Sequence, residues 1–213
     1  FGVMWVTANL KETQQTFERV FREYGMPDRI RTDNGVPFAS KGRAGLSQLS
    51  IWWLRLGIIP ERIEPGRPDQ NGRHERMHRT LKSTLPQPPA IAWEAQQKHF
   101  DRFMQHYNYE RGHEALGQKT PAACYTPSLR AYPEKLPEMG YASHVECYLA
   151  DCSGIINQAG LRIYVGHLLR HQTIGMEMIG DDIWSVIFGP VILGRVDARD
   201  AKNGYVSIKV SPM

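Results

Sequence analysis

Pro65-Gly66-Arg67-Pro68-Asp69-Gln70-Asn71-Gly72-Arg73-His74-Glu75-Arg76-Met77-His78-Arg79-Thr80-Leu81-Lys82 reads as a loop that turns into a helix. Two prolines and a glycine within four residues exclude regular structure at its start. Asn71 is suited to capping a helix, and Gly72 frees the turn into it. From Arg73 onward the pattern is helical and polar. Glu75, Arg79 and Lys82 stand at i, i+4 and i+7 and share one face. Five of the seven charged residues from Arg67 to Lys82 are basic, so Glu75 is a carboxylate set among cations. Two readings follow. One is a solvated surface helix with ion pairs. The other is a metal-binding acid beside a phosphate-binding face.

Upstream, Arg29-Ile30-Arg31-Thr32-Asp33-Asn34-Gly35-Val36-Pro37-Phe38 reads as a short strand ending on an aspartate. Residues 1–7 read as a buried strand. Thr13 to Tyr24 read as a helix with Phe17, Val20, Phe21 and Tyr24 on one face, stopped by Gly25 and Pro27. Strand, helix, strand is a parallel unit with Asp33 at the carboxyl end of its second strand, where open α/β sheets place their sites.

Thr32-Asp33-Asn34-Gly35, followed by Pro68-Asp69-Gln70-Asn71-Gly72-Arg73-His74-Glu75, resembles the catalytic core of retroviral-type integrases, and most of all the insertion-sequence transposases of that DDE superfamily. The likeness continues in Tyr107-Asn108-Tyr109-Glu110-Arg111-Gly112-His113-Glu114-Ala115-Leu116-Gly117 and Thr120-Pro121-Ala122, and covers roughly residues 1–125. It implies an α/β ribonuclease-H-like core, here expected to lack its first strands. It also implies metal-dependent transposition of DNA, with nicking at element ends followed by strand transfer. Asp33 matches the second acid of the triad and Glu75 the third. Both are expected to hold Mg²⁺ or Mn²⁺, an oxygen-seeking ion that needs few carboxylates. The loop residues Gln70, Asn71 and Gly72 are expected to face DNA, and Arg73, Arg76, Arg79 and Lys82 to meet phosphates. Homo-oligomerisation on paired ends, an upstream helix-turn-helix and a prokaryotic cytoplasmic setting at the nucleoid are implied in the same way.

Four departures stand out. The first acid has no counterpart, since Glu12, Glu18 and Glu23 fall on the connecting helix; it is expected upstream of Phe1, the chain being a core fragment. The interval of 41 residues between Asp33 and Glu75 is longer than is usual, with Lys41–Leu49 as the insertion. Gly112 replaces a common proline, and Asp69 an uncharged residue.

Between these motifs, Gly42 to Gly57 fits a helix with Leu46, Leu49, Trp53 and Leu54 inward. Trp52 and Trp53 have the chemistry of base-stacking platforms, but tryptophans at amphipathic spacing read first as core. Ile58–Ile63 fits an edge strand interrupted by Pro60. A helix from about Ala90 to Tyr107 and a short one opened by Thr120 and Pro121 complete the core. Residues 126–144, with three prolines, read as a linker. Beyond it, Val145–Ala150, Leu161–Val165, Ile174–Ile179, Ile183–Phe188, Val191–Val196 and Tyr205–Val210 are short β-type runs, expected to form a small all-β, barrel-like domain over 145–213.

Composition is compatible with this organisation. The 213 residues allow one or two domains. The net charge of +4 permits a polyanion partner. Residues 1–144 carry 20 Lys/Arg against 15 Asp/Glu, whereas 145–213 carry 6 against 7, so the anion-binding surface is expected in the first part. Three cysteines without a C-x-x-C pair argue against a disulfide framework. No apolar run approaches the roughly 20 residues of a membrane span.

Two rivals remain. His74-Glu75-Arg76-Met77-His78 is H-E-x-x-H, the zinc-peptidase pattern, with Glu75 as general base. Its helix lacks apolar flanks and no third histidine follows at the extended spacing. The other rival is a catalytically silent DNA-binding remnant or regulator.

Overall fold

The computed structural model describes residues 9–32, 35–40, 42–64, 72–86 and 92–209, apart from the side chains of residues 73, 74 and 93. The strand expected at 1–7, Asp33, Asn34, Gln70 and Asn71 lie outside the described residues. In chain order the elements are α1 (Leu10–Tyr24), β1 (Arg29–Thr32), α2 (Gln48–Arg55), β2 (Ile59–Arg62), α3 (Gly72–Thr84), α4 (Trp93–Gln105) and α5 (Pro121–Cys124). They continue as β3 (Glu146–Leu149), β4 (Ile155–Gln158), β5 (Leu161–Tyr164), β6 (Thr173–Gly180), β7 (Ile183–Phe188), β8 (Val191–Asp197) and β9 (Tyr205–Val206). The fold is mixed helix and sheet, with a parallel strand pair and its helices followed by a small β domain. Packing groups these segments into two compact units. One joins the chain up to Pro27 to Ile63–Tyr132, and the other joins Asp28–Arg62 to the chain from Pro133 onward.

In the first unit α1 begins three residues before the expected Thr13. Asn9 caps it, its side chain accepting from the Glu12 amide at 2.9 Å. Thr13 is buried and donates its hydroxyl to the Asn9 carbonyl at 2.8 Å. Phe21 is buried, with the Phe17 ring 5.7 Å away, while Tyr24 is exposed. Gly25 ends the helix at φ +77°, and residues 126–130 are fastened to that end. The Met26 amide donates to the Arg130 carbonyl at 2.7 Å, and the Ser128 hydroxyl to the Met26 carbonyl at 2.6 Å. α4 runs on into a π-helical turn at His106–Glu110 rather than stopping at Tyr107. There the His113 ring packs edge-on against Tyr107, 4.6 Å between centroids. α5 opens as expected, with Thr120 as cap and Pro121 in the first turn.

In the second unit β1 and β2 pair in parallel, from Arg29 opposite Ile59 to Thr32 opposite Arg62. α2 is shorter than the expected 42–57 helix, because Arg43–Gly45 forms a separate 3₁₀ turn and Ser47 then starts α2. Ser47 and Ser50 exchange side-chain-to-backbone bonds, a reciprocal cap that fixes the first turn. Leu46, Leu49, Trp53 and Leu54 are buried as expected. Trp52 is buried as well, so both tryptophans are core and neither is a stacking platform.

β3, β6, β7 and β8 form an antiparallel four-stranded sheet, and β4, β5 and β9 a three-stranded one. Each of the six expected β runs contains a strand. β4 escapes the pattern because only Ile155 and Ile156 mark it between Gly154 and Asn157. The two sheets share one core, in which Ile156, Ile163, Ile174, Met176, Val186 and Phe188 are joined by Leu46, Ile51 and Leu54 from the α2 region. The end of the expected linker also belongs to this unit. Arg55 donates to the carbonyls of Pro137 (3.0 Å) and Leu136 (3.3 Å), and the Tyr141 hydroxyl to that of Thr173 (2.7 Å). Tyr141 lies over Gly175, where an added Cβ would come within 2.6 Å of its ring. Burial pushes the Tyr141 phenol up.

Two outcomes test this packing. A Cβ on Gly25 would meet the Ser128 carbonyl oxygen at 2.3 Å and sit at positive φ. Gly25→Ala is therefore expected to cost more than about 1 kcal/mol in urea unfolding. On the β1–β2 pair, Glu61 accepts from Arg29 at 2.9 Å and Arg31 at 3.1 Å, and these bonds hold its carboxyl below the usual range. A depressed carboxyl contributes stability above its unfolded pKa and loses it as pH falls through the folded value. Glu61→Gln is expected to lower the urea midpoint slightly near neutrality, by a small amount because the group is solvated, and to leave it unchanged in acid, so that the acid limb of the stability–pH curve is flatter.

Candidate functional site

α3 is polar along its length, and its first turn carries Glu75. Glu75, Arg76, Arg79 and Lys82 are all exposed. The i, i+4 spacing invites a Glu75–Arg79 ion pair worth about 0.3–0.5 kcal/mol on an isolated helix. None forms. Among the described residues Arg76, Arg79 and Lys82 make no ion pair, and the Glu75 carboxylate accepts no hydrogen bond. The hydroxyls on this helix turn back on its own backbone. Thr80 donates to the Arg76 carbonyl at 3.0 Å, and Thr84 to that of Thr80 at 2.8 Å. Among the described residues the helix thus presents three cations without an ion pair and one carboxylate without a hydrogen-bond donor. Glu75 in the first turn is also where the helix dipole favours a negative charge. Such an oxygen fits a hard divalent cation such as Mg²⁺.

Gly72 is the first residue of α3 and Arg73 follows it on the helix. Thr32, the last residue of β1, directly precedes Asp33. β1 and α3 fall in different compact units. Of the zinc pattern, His78 is exposed and the His74 side chain lies outside the described residues. Among the described residues no three His, Cys, Asp or Glu side chains gather as metal ligands. All three cysteines are free and exposed. No described helix is long and apolar enough to cross a membrane.

One functional candidate is not visible in the sequence pattern. Arg43 falls inside the expected 42–57 helix, whereas it sits on the turn that precedes α2. The glycines at 42 and 45 flanking it are the available turn signal.

Comparison with known proteins finds a family match over the segment that carries α3. The integrase core domain family matches residues 56–121, which include β2, α3, α4 and α5 up to Pro121. The Pol polyprotein of Radiation murine leukemia virus (strain Kaplan) is 37% identical over 73 residues, 34% of this chain and 12% of that protein. The Gag-Pol polyprotein of Baboon endogenous virus (strain M7) is 36% identical over 72 residues, 34% of this chain and 4% of that protein. The chain thus spans only a small part of the length of these curated relatives. A simian T-cell lymphotropic virus intasome solved with the PP2A regulatory subunit B56 gamma aligns at a TM-score of 0.43 and 17% identity, over 95% of this chain and 65% of that chain. The prokaryotic setting expected from the sequence finds no support in these viral relatives. Residues 56–121, which carry α3 and Glu75, are thus similar to the integrase core domain, and the chain shares a segment of similar length with retroviral Pol polyproteins.

Proposed function

We propose that the chain works on DNA as an integrase- or transposase-type polynucleotidyl transferase. In this reading Asp33 and Glu75 are two of the acids that hold Mg²⁺ or Mn²⁺, and the reactions are end nicking and strand transfer. The observation that carries the reading is the integrase core match over 56–121, which encloses an exposed Glu75 on a helix whose Arg76, Arg79 and Lys82 make no ion pair among the described residues. When bound, the ions would neutralise the phosphodiester and activate the attacking oxygen. The chain's own part is to attract and orient the DNA. Arg79 and Lys82 draw phosphates to the face that bears Glu75, Arg76 meets them from the neighbouring face, and Arg73 with the loop residues Gln70, Asn71 and Gly72 would contact the DNA. The acids supply oxygen donors and need no proton transfer of their own. The partition into a catalytic core over 1–125, a connector over 126–144 and a small β module over 145–213 belongs to this proposal, as does assembly of several copies on paired DNA ends.

Mn²⁺ titration of the purified chain in the presence of duplex DNA tests the acids. Asp33→Asn and Glu75→Gln are each expected to weaken binding at least about tenfold, while His74→Ala and His78→Ala leave it within about twofold. The reverse pattern, with tight Zn²⁺ binding abolished in the histidine variants, overturns the reading in favour of a zinc site. Metal binding with neither nicking nor joining of DNA favours the silent DNA-binding reading. Removing Arg76, Arg79 and Lys82 together is expected to lower the slope of log K against log salt by about 0.9 for each phosphate that is no longer neutralised. An unchanged slope means that α3 is not the phosphate face.

A further inference from the structure

A cavity of about 660 Å³ lies between the turn Gly42–Leu46 and the segment Tyr164–Leu169, both within the second unit. Its polar and apolar walls differ in kind. Leu46 and Leu169 belong to the core, Leu168 is half-buried, and the Tyr164 ring is 49% exposed at the rim. The polar wall is cationic. Arg43 is half-buried and has no carboxylate partner among the described residues. Its Nη1 and Nη2 donate to the carbonyls of Ile208 (3.3 Å) and Tyr164 (3.4 Å), which leaves three of its five N–H donors unused. One of them, Nε–H, is buried with no acceptor. Burial works against its charge, which no counter-ion offsets.

The second polar group is His167. Its Nε2 lies 2.5 Å from Nη1 of Arg170. A guanidinium can only donate, so Nε2 accepts and the ring proton of a neutral imidazole sits on Nδ1. That Nδ1–H has no protein acceptor among the described residues. The His167 amide donates to the Tyr164 hydroxyl at 3.1 Å, which ties the tyrosine to the same segment. A guanidinium and an imidazole N–H without acceptors among the described residues on one side, and an exposed aromatic with a leucine on the other, describe a ligand that is an anion at one end and flat and apolar at the other. The volume is in the range of roughly 300–1,000 Å³ that encloses a whole small molecule, and is far more than a bare phosphate fills.

We propose that this cavity binds one nucleotide unit of a nucleic-acid strand, with its phosphate on Arg43 and His167 and its base against Tyr164 and Leu168. The choice of a polymer rests on the DNA reading above; the anionic and aromatic character of the ligand rests on the lining alone. The site places a nucleic-acid contact on a turn outside the acid-bearing helix and on the β module, whose net charge gives no hint of one.

The test is fluorescence anisotropy of a labelled single-stranded oligonucleotide, together with amide chemical shifts of Gly42 and Gly166. Tyr164→Ala and Arg43→Lys are each expected to weaken oligonucleotide binding about tenfold, the scale of one base stack. Tyr164 is half-exposed and among the described residues its side chain accepts only the His167 amide, so its variant should remain folded, checked by its melting curve, which keeps the test valid if Arg43→Lys misfolds. A dinucleotide should shift both glycine amides, and inorganic phosphate at equal ionic strength should not. If the oligonucleotide binds the variants and the unaltered chain alike, the cavity assignment fails and the DNA reading stands. If a mononucleotide shifts the amides but no oligonucleotide binds, the polymer assignment and the DNA reading fail together. Shifts with inorganic phosphate equal to those with the dinucleotide overturn the role of the aromatic wall.

Discussion

A helix buried as deeply as α2 tolerates no orphan amides at its start, and the Ser47–Ser50 exchange removes that cost where solvent is absent. Both serines are buried, so water cannot stand in for either partner. With the first turn satisfied, Leu49, Ile51, Trp53 and Leu54 can be buried in succession. Leu46, just before the cap, and Ile51 and Leu54 join the interior of the β domain. The parallel β1–β2 pair is built around the same helix, since α2 is the connection between its strands. The second unit therefore has its hydrophobic interior in one place and its cationic turn, Gly42–Leu46, at the edge of that interior.

Charge is managed differently on the two surfaces that matter. On β1–β2 the exposed Arg29 and Arg31 share Glu61, which offsets part of their charge. On α3 the opposite holds: the spacing offers a pairing at i, i+4 and the helix does not make it. An exposed ion pair gains little, because water solvates both partners nearly as well as they solvate each other. Leaving the pair unmade keeps a carboxylate and three cations exposed to solvent on one short helix.

Much of this was legible in the sequence, for reasons that differ by element. The β runs from Val145 onward alternate or cluster branched residues between turn signals, and Asn203-Gly204 and Gly189 take the positive φ angles such turns require. α1 is readable from its apolar face, but its start is set by a single side-chain bond from Asn9 that periodicity does not register. The pattern overextends α2 because Arg43, Ala44 and Leu46 are acceptable helix formers; the competing local bond at Ser47 decides the boundary. β4 has two apolar residues and gains its place only from pairing with β5. Arg43 could not be singled out, since its significance lies in contacts to Tyr164 and Ile208, more than a hundred residues away. For the two candidate acids the chain offers only residue type and order, and the structure adds the surroundings of Glu75 alone.

The strap formed by residues 136–141 has a consequence for how such chains can be recombined. Its backbone receives the Arg55 guanidinium, and Tyr141 shields the bare backbone of Gly175 in the middle of a sheet. A breakpoint anywhere between 126 and 145 looks harmless, in a proline-rich stretch without strands or helices. Yet a β domain exchanged there would leave behind Leu46, Ile51 and Leu54, and a cut just before 145 would strand the tyrosine that covers its sheet. The β domain is thus completed by chain from outside its own stretch: Asp28–Arg62 and the strap finish its core, and exchange of the tail alone leaves that core open.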